Sequence, residues 1–231
     1  QSVRENTQRR LYDQGSNIEF VSEDGGSMGV VFVKDGEIRN RLGQFHKKPV
    51  ITTSYPDLVA FYFYPFKHIR VEVFFDVYSS TGCFAEYKVI NEGKRYGSLS
   101  FLPYFYLDTK LENVQSDSAG FSFQHRKERD GWMKNHDIPY IEDLQSVFLS
   151  DTKPKDFGTY PTFPPGDSLA TGKLNRRIDA DSKYLILSKT SEINAGDTVT
   201  FRIMRGLVAA GEDSGKLRDE TLEMTGVNPG E

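Results

Sequence analysis

Residues 69–80, IRVEVFFDVYSS, alternate with period two: Ile69, Val71, Val73, Phe75 and Val77 fall on one side, and Arg70, Glu72, Phe74, Asp76 and Tyr78 on the other. Successive side chains of a β-strand point to opposite faces, so the pattern predicts a strand with one apolar and one mixed face. Burying each Val or Phe of the apolar row contributes roughly 1.5–3 kcal/mol, which makes that row core rather than ligand site. The opposite row sets Phe74 and Tyr78 among charges and is at most partly covered. Just upstream, LVAFYFYPF (58–66) supplies a second strand, separated from the first by Lys67 and His68.

Working outward, NIEFVSEDGG and SMGVVFVKDGEIRN predict a hairpin around an Asp-Gly-Gly turn, its second strand closed by Asp35-Gly36. CFAEYKVINEG, YGSLSFLPYFYLD, AGFSFQHRKE, LQSVFLS, KYLILSKT and DTVTFRIMRGL continue the series to about ten strands. The last alternates again, with Val199, Phe201 and Ile203 against Thr200 and Arg202. Pro103 predicts an edge position or a bulge in its strand, since it cannot donate to a ladder. Helical periodicity appears only over 216–225. The expected class is all-β, a large antiparallel sandwich with little helix. Two stretches, 126–143 and 151–177, read as long irregular loops, where recognition is expected.

The 231 residues suffice for one large β-domain. Basic and acidic residues, 29 and 33, are interspersed for a net charge of −4, which leaves no basic face for a phosphate backbone and argues against nucleic acid. Hydrophobic residues make up 37% and aromatics 13%, so Phe and Tyr must fill much of the core. The lone Cys83 allows no disulfide within the chain and reads as a small buried strand residue. No apolar run nears the roughly 20 residues of a membrane span. Residues 1–16 are polar and Arg-rich, a loose arm expected to dock by Leu11 and Tyr12. An opening at Gln1 with no Met suits a processed periplasmic or secreted protein or an artificially trimmed chain, and export is the expectation.

His46, His68, His125 and His136 are scattered without zinc-ligand spacing, so neither metal nor cofactor is expected. Serine-hydrolase and P-loop signatures do not occur. Paired carboxylates about 5–9.5 Å apart could hydrolyse a glycosidic bond. Spacing does not sort Asp57, Glu72, Asp76, Glu86, Asp108, Glu128, Asp130 and Asp137 into acid and base, and solvated surface charge explains each singly. No catalytic residue is assigned. The binding candidates are Trp132, His136, Asp137 and Tyr140 in the first long loop, and Tyr160 and Phe163 in the second. Rings present flat apolar faces to the C–H face of a sugar, and neighbouring polar groups can bond its hydroxyls. Against this, Trp132 could plug its loop onto the sheet, and the segment from Tyr160 to Pro165 could be a packed strap or an interface.

SYPDLVAFYFYPFKHIRVEVFFDVYSSTGCFAEYKVINEG (54–93), then SLSFLPYF (98–105) and DTVTFRIMRGL (197–207), resemble the N-terminal β-sandwich of bacterial glycoside hydrolases whose catalytic part is an (α/α)6 barrel. The resemblance implies a supersandwich of galactose mutarotase-like type over 17–210, with 211–231 as a linker towards a C-terminal catalytic domain of the same polypeptide. It implies a non-catalytic accessory role with carbohydrate as partner, the catalytic carboxylates lying in the barrel. Two other readings stand beside it. One is a mutarotase-like epimerase or lyase using His125 or His136 with a carboxylate; the other is a free-standing carbohydrate-binding module.

Overall fold

A computed structural model describes residues 19–21, 27–40, 42–55, 57–79, 82–94, 97–107, 110–116, 120–126, 143–150, 156–163 and 181–209, with Leu169, Leu174, Asp219 and Glu223 as single positions. Among them are fourteen strands: β1 (Glu19–Val21), β2 (Ser27–Lys34), β3 (Glu37–Arg39), β4 (Lys47–Ser54), β5 (Leu58–Phe66), β6 (Ile69–Ser79), β7 (Gly82–Asn91), β8 (Gly97–Tyr106), β9 (Glu112–Ser116), β10 (Gly120–Arg126), β11 (Asp143–Ser150), β12 (Asp156–Tyr160), β13 (Tyr184–Ile193) and β14 (Thr198–Ala209). The class is all-β, as expected. Asp219 and Glu223, inside the segment read as helical, are both helical.

The strands form two antiparallel sheets. The smaller runs β1-β2-β8-β13-β12, with β3 also paired to β2; the larger runs β4-β5-β6-β7-β14-β11-β10-β9. One apolar cluster joins them, drawing Phe20, Met28, Val30, Phe32, Phe101 and Phe105 from the first and Phe61, Phe63, Val71, Val73, Phe75 and Phe201 from the second. Rings meet across the gap: Phe20 stacks on Phe75 at 3.9 Å between centroids, and Phe101 lies 4.7 Å from Phe201. The apolar row of β6 is therefore wall. Ile69, Val71, Val73 and Phe75 are buried, while Phe74 on the opposite row is 38% exposed.

A second, smaller cluster covers the other side of the smaller sheet, where Val31, Val33, Leu102, Tyr104 and Ile186 meet Leu169 and Leu174. Both sides of β2 and β8 are thus covered, which explains why SMGVVFVK and SLSFLPYF read as nearly continuous apolar runs while β6 alternates. Gly29 belongs to this packing. A Cβ there would stand 2.6 Å from the Tyr104 hydroxyl, so the ring can lie on β2 only over a glycine.

The first hairpin is as predicted, with Phe20 opposite Met28, and Asp35 and Gly36 both turn at positive φ, 54° and 77°. Three expectations need correcting. Pro103 lies in β8, a central strand that keeps its register on both sides; pairing with β13 lapses at Leu187 and Ser188, opposite the residue that has no N–H. The stretch 151–177 is not wholly irregular, because Asp156–Tyr160 pairs with β13. The strand count exceeds about ten by β3, which lies inside the run read as one strand, by β12, which lies in the stretch read as a loop, and by β4 and β9, polar edge strands with little alternating apolar signal.

Candidate functional site

Among the described residues, the side of the larger sheet turned away from the smaller one carries an open depression of about 480 Å³, lined by residues of β4, β5, β6 and β7. Its floor follows from cross-strand register. Phe74 stands opposite Ala60 on one side and Glu86 on the other, and Glu72 stands opposite Tyr62 and Lys88. With only Ala60 and Thr52 beyond it, the Phe74 ring has no bulky neighbour on that side, and the hollow opens there. Arg202 of β14 stands opposite Glu86, one strand beyond the lining.

Charge in the depression is internally paired. Arg70 Nη2 lies 2.7 Å from Glu72 Oε1, and its Nη1 lies 3.8 Å from Glu92. Arg202 Nε donates to Glu86 Oε2 at 2.8 Å, and Lys88 Nζ is 3.5 Å from the other oxygen of Glu86. Glu86 is the most sheltered of these, its side chain 17% exposed. Cations also sit over two of the rings. The Arg70 guanidinium is 4.6 Å from the centre of Tyr62, and Lys47 Nζ is 4.4 Å from that of Tyr64.

At the margins, the Tyr64 hydroxyl donates to Glu92 at 3.1 Å; burial first, and then this carboxylate, raise the phenol above its ordinary value. Further along β6 on the same face, the Asp76 carboxyl is also held above the usual range, by burial and then by the negative charge of Asp57. Beside Glu92, whose N–H donates to the His68 carbonyl, Asn91 Nδ2 donates to the Ile193 carbonyl and its Oδ1 accepts from Gly93 N. No group of three or more His, Cys, Asp or Glu suited to a metal ion occurs among the described residues. No described helix is long and apolar enough to cross a membrane.

The sequence candidates lie elsewhere. Trp132, His136, Asp137 and Tyr140 fall outside the described residues. Tyr160 ends β12 on the smaller sheet, and Phe163 packs edge-on against Tyr104 at 5.4 Å and Tyr184 at 5.5 Å. These two therefore belong to the cover of the smaller sheet, on the side away from the depression. Of the residues that converge, Arg70, Glu72 and Phe74 belong to the mixed row read in 69–80, whereas Tyr62, Glu86 and Lys88 join them only through the pairing of β5 and β7 with β6. What the sequence lacked was the pairing of β5, β6 and β7 as neighbours.

No protein-family model matches the chain, and no curated protein matches its sequence. Solved structures share its fold. A chain assigned as a kojibiose phosphorylase from the human microbiome superposes with a TM-score of 0.52 at 10% identity, covering 85% of this chain and 24% of that one. A polysaccharide lyase matches with a TM-score of 0.47 at 12% identity over 84% of this chain and 27% of the other. A chain assigned as an aldose 1-epimerase from Escherichia coli K12 matches at 0.40 and 11% identity, over 86% and 82%. This chain spans about a quarter of the length of the kojibiose phosphorylase it resembles. At 10% identity the likeness to the kojibiose phosphorylase chain is one of fold alone.

Proposed function

We propose that the chain is a non-catalytic β-sandwich domain of a carbohydrate-active enzyme, accessory to a helical catalytic barrel in the manner of the glycoside hydrolases named above, and that the depression of the larger sheet contacts saccharide. The observation that supports this most is the superposition of 85% of the chain on 24% of the kojibiose phosphorylase. The depression adds chemical sense. It offers Phe74 as a ring and Glu72, Glu86, Lys88 and Arg70 as hydrogen-bonding groups, which together suit a sugar's alternating C–H faces and hydroxyls. Its carboxylates are tied to cations, an arrangement suited to holding a ligand rather than to moving a proton. Trp132, His136, Asp137 and Tyr140 remain candidates for a contact from the first long loop, and a periplasmic or secreted location remains part of the proposal.

Assays of the purified chain against glucosides test the reading. We expect saccharide binding with no hydrolysis, phosphorolysis or anomeric interconversion above background. Anomeric interconversion catalysed by the chain alone would replace this reading with a mutarotase-like one.

A further inference from the structure

We infer that the depression takes an uncharged pyranose seated against Phe74 and discriminates against uronates and other anionic sugars. This rests on the saccharide reading above and specifies its ligand. Four aromatic residues line the hollow: Phe61, Tyr62, Phe74 and Phe84. Phe61 belongs to the core, Tyr62 carries the Arg70 guanidinium, and Phe84 is half-buried. Phe74, at 38% exposure, is the lining ring most open to a ligand.

The charges set the selectivity. Arg70, Lys88 and Arg202 would each attract a sugar carboxylate, but Glu72 and Glu92 already hold Arg70, and Glu86 holds both of the others. An incoming carboxylate must displace one of these or stand beside it, so that two anions share one cation at short range. Like charges brought together across an interface oppose binding and select against the wrong partner. Hydroxyls meet no such obstacle. A carboxylate has about four lone-pair sites and an ammonium three donors, so Glu72 can accept from a sugar and Lys88 donate to it with every ion pair intact. Hydroxyl recognition by groups that stay paired is the chemistry this surface offers.

Titration calorimetry on the full chain tests the inference, using glucose oligosaccharides and the same oligosaccharides oxidised at C6 to uronates. The neutral series should bind, with the uronates weaker by about tenfold or more. Phe74→Ala should weaken neutral binding severalfold while leaving the melting temperature close to that of the parent. Glu86→Gln frees Arg202 and Lys88 and should narrow or invert the ratio. Glu72→Gln, at a more exposed position, makes the same test on Arg70 if the first variant does not fold. Uronates binding as tightly as neutral sugars to the parent protein, or an unchanged ratio in folded Glu86→Gln or Glu72→Gln, overturns the inference and leaves the saccharide reading standing. Absence of binding by either series overturns both.

Discussion

The two outer faces of the sandwich are built from the same kind of strand and end in opposite ways. On the smaller sheet, Val31, Val33, Leu102, Tyr104 and Ile186 point outward and are sealed by Phe163, Leu169 and Leu174 from the chain's own later segment. On the larger sheet, Tyr62, Arg70, Glu72, Phe74, Glu86 and Lys88 point outward around an open hollow. One face has been made into a second core, whereas the other keeps its rings beside charges held in ion pairs. A sheet face covered by its own chain can be purely apolar. A face left open needs charge to stay soluble, and the aromatic groups it retains there are the unusual feature.

Both faces depend most heavily on the interior they share. Phe101 is fully buried between Phe32 and Phe201, one ring from each sheet. Phe101→Ala should cost about 3–5 kcal/mol in denaturant unfolding, as expected for emptying a large core side chain. The closed face comes next. Gly29→Ala drives a methyl group into the Tyr104 ring and should cost about 1–3 kcal/mol by the same measurement, because the ring must leave a packed site. Phe74→Ala on the open face should cost less than about 1 kcal/mol, since the ring is already partly in water. A cost as large as that of Gly29→Ala would mean that the open face is structural as well.

The smallest effect lies at the margin of the open face and depends on pH. Asp76 has a raised folded value from burial and Asp57, so the folded chain keeps its proton to higher pH than the unfolded one. Stability from this group therefore falls as pH rises from the ordinary aspartate range through the folded value, and then levels off. Asp76→Asn should raise the melting temperature slightly at neutral pH, with the gain vanishing in acid. A gain that persists below the ordinary aspartate range would assign the effect to something other than this charge.

Much of the architecture was legible in the sequence. The alternation of β6 and β14 reports one covered face, and the nearly continuous apolar runs of β2 and β8 report two. Asp35-Gly36 announced its turn through the need for positive φ. Pro103 misled because a central strand can lose one ladder bond and keep its register, a tolerance that local rules do not contain. Tyr160 and Phe163 were read as rings on a long loop, open to a sugar or packed as a strap; the pairing of β12 with β13 and the contacts of Phe163 with Tyr104 and Tyr184 show them laid over a sheet. The hollow itself was hidden for a different reason. Its residues come from four strands, and no local rule places Ala60 beside Phe74 or Lys88 beside Glu72.

Hydrogen exchange of the full chain with and without a saturating glucose oligosaccharide tests most directly whether the open face is the one that meets sugar. Exchange should slow in β5, β6 and β7, with β2, β8, β12 and residues 161–163 unchanged. Slowing confined to β12 and its neighbours, with none in β5 to β7, would contradict it and move the contact to the closed side of the molecule.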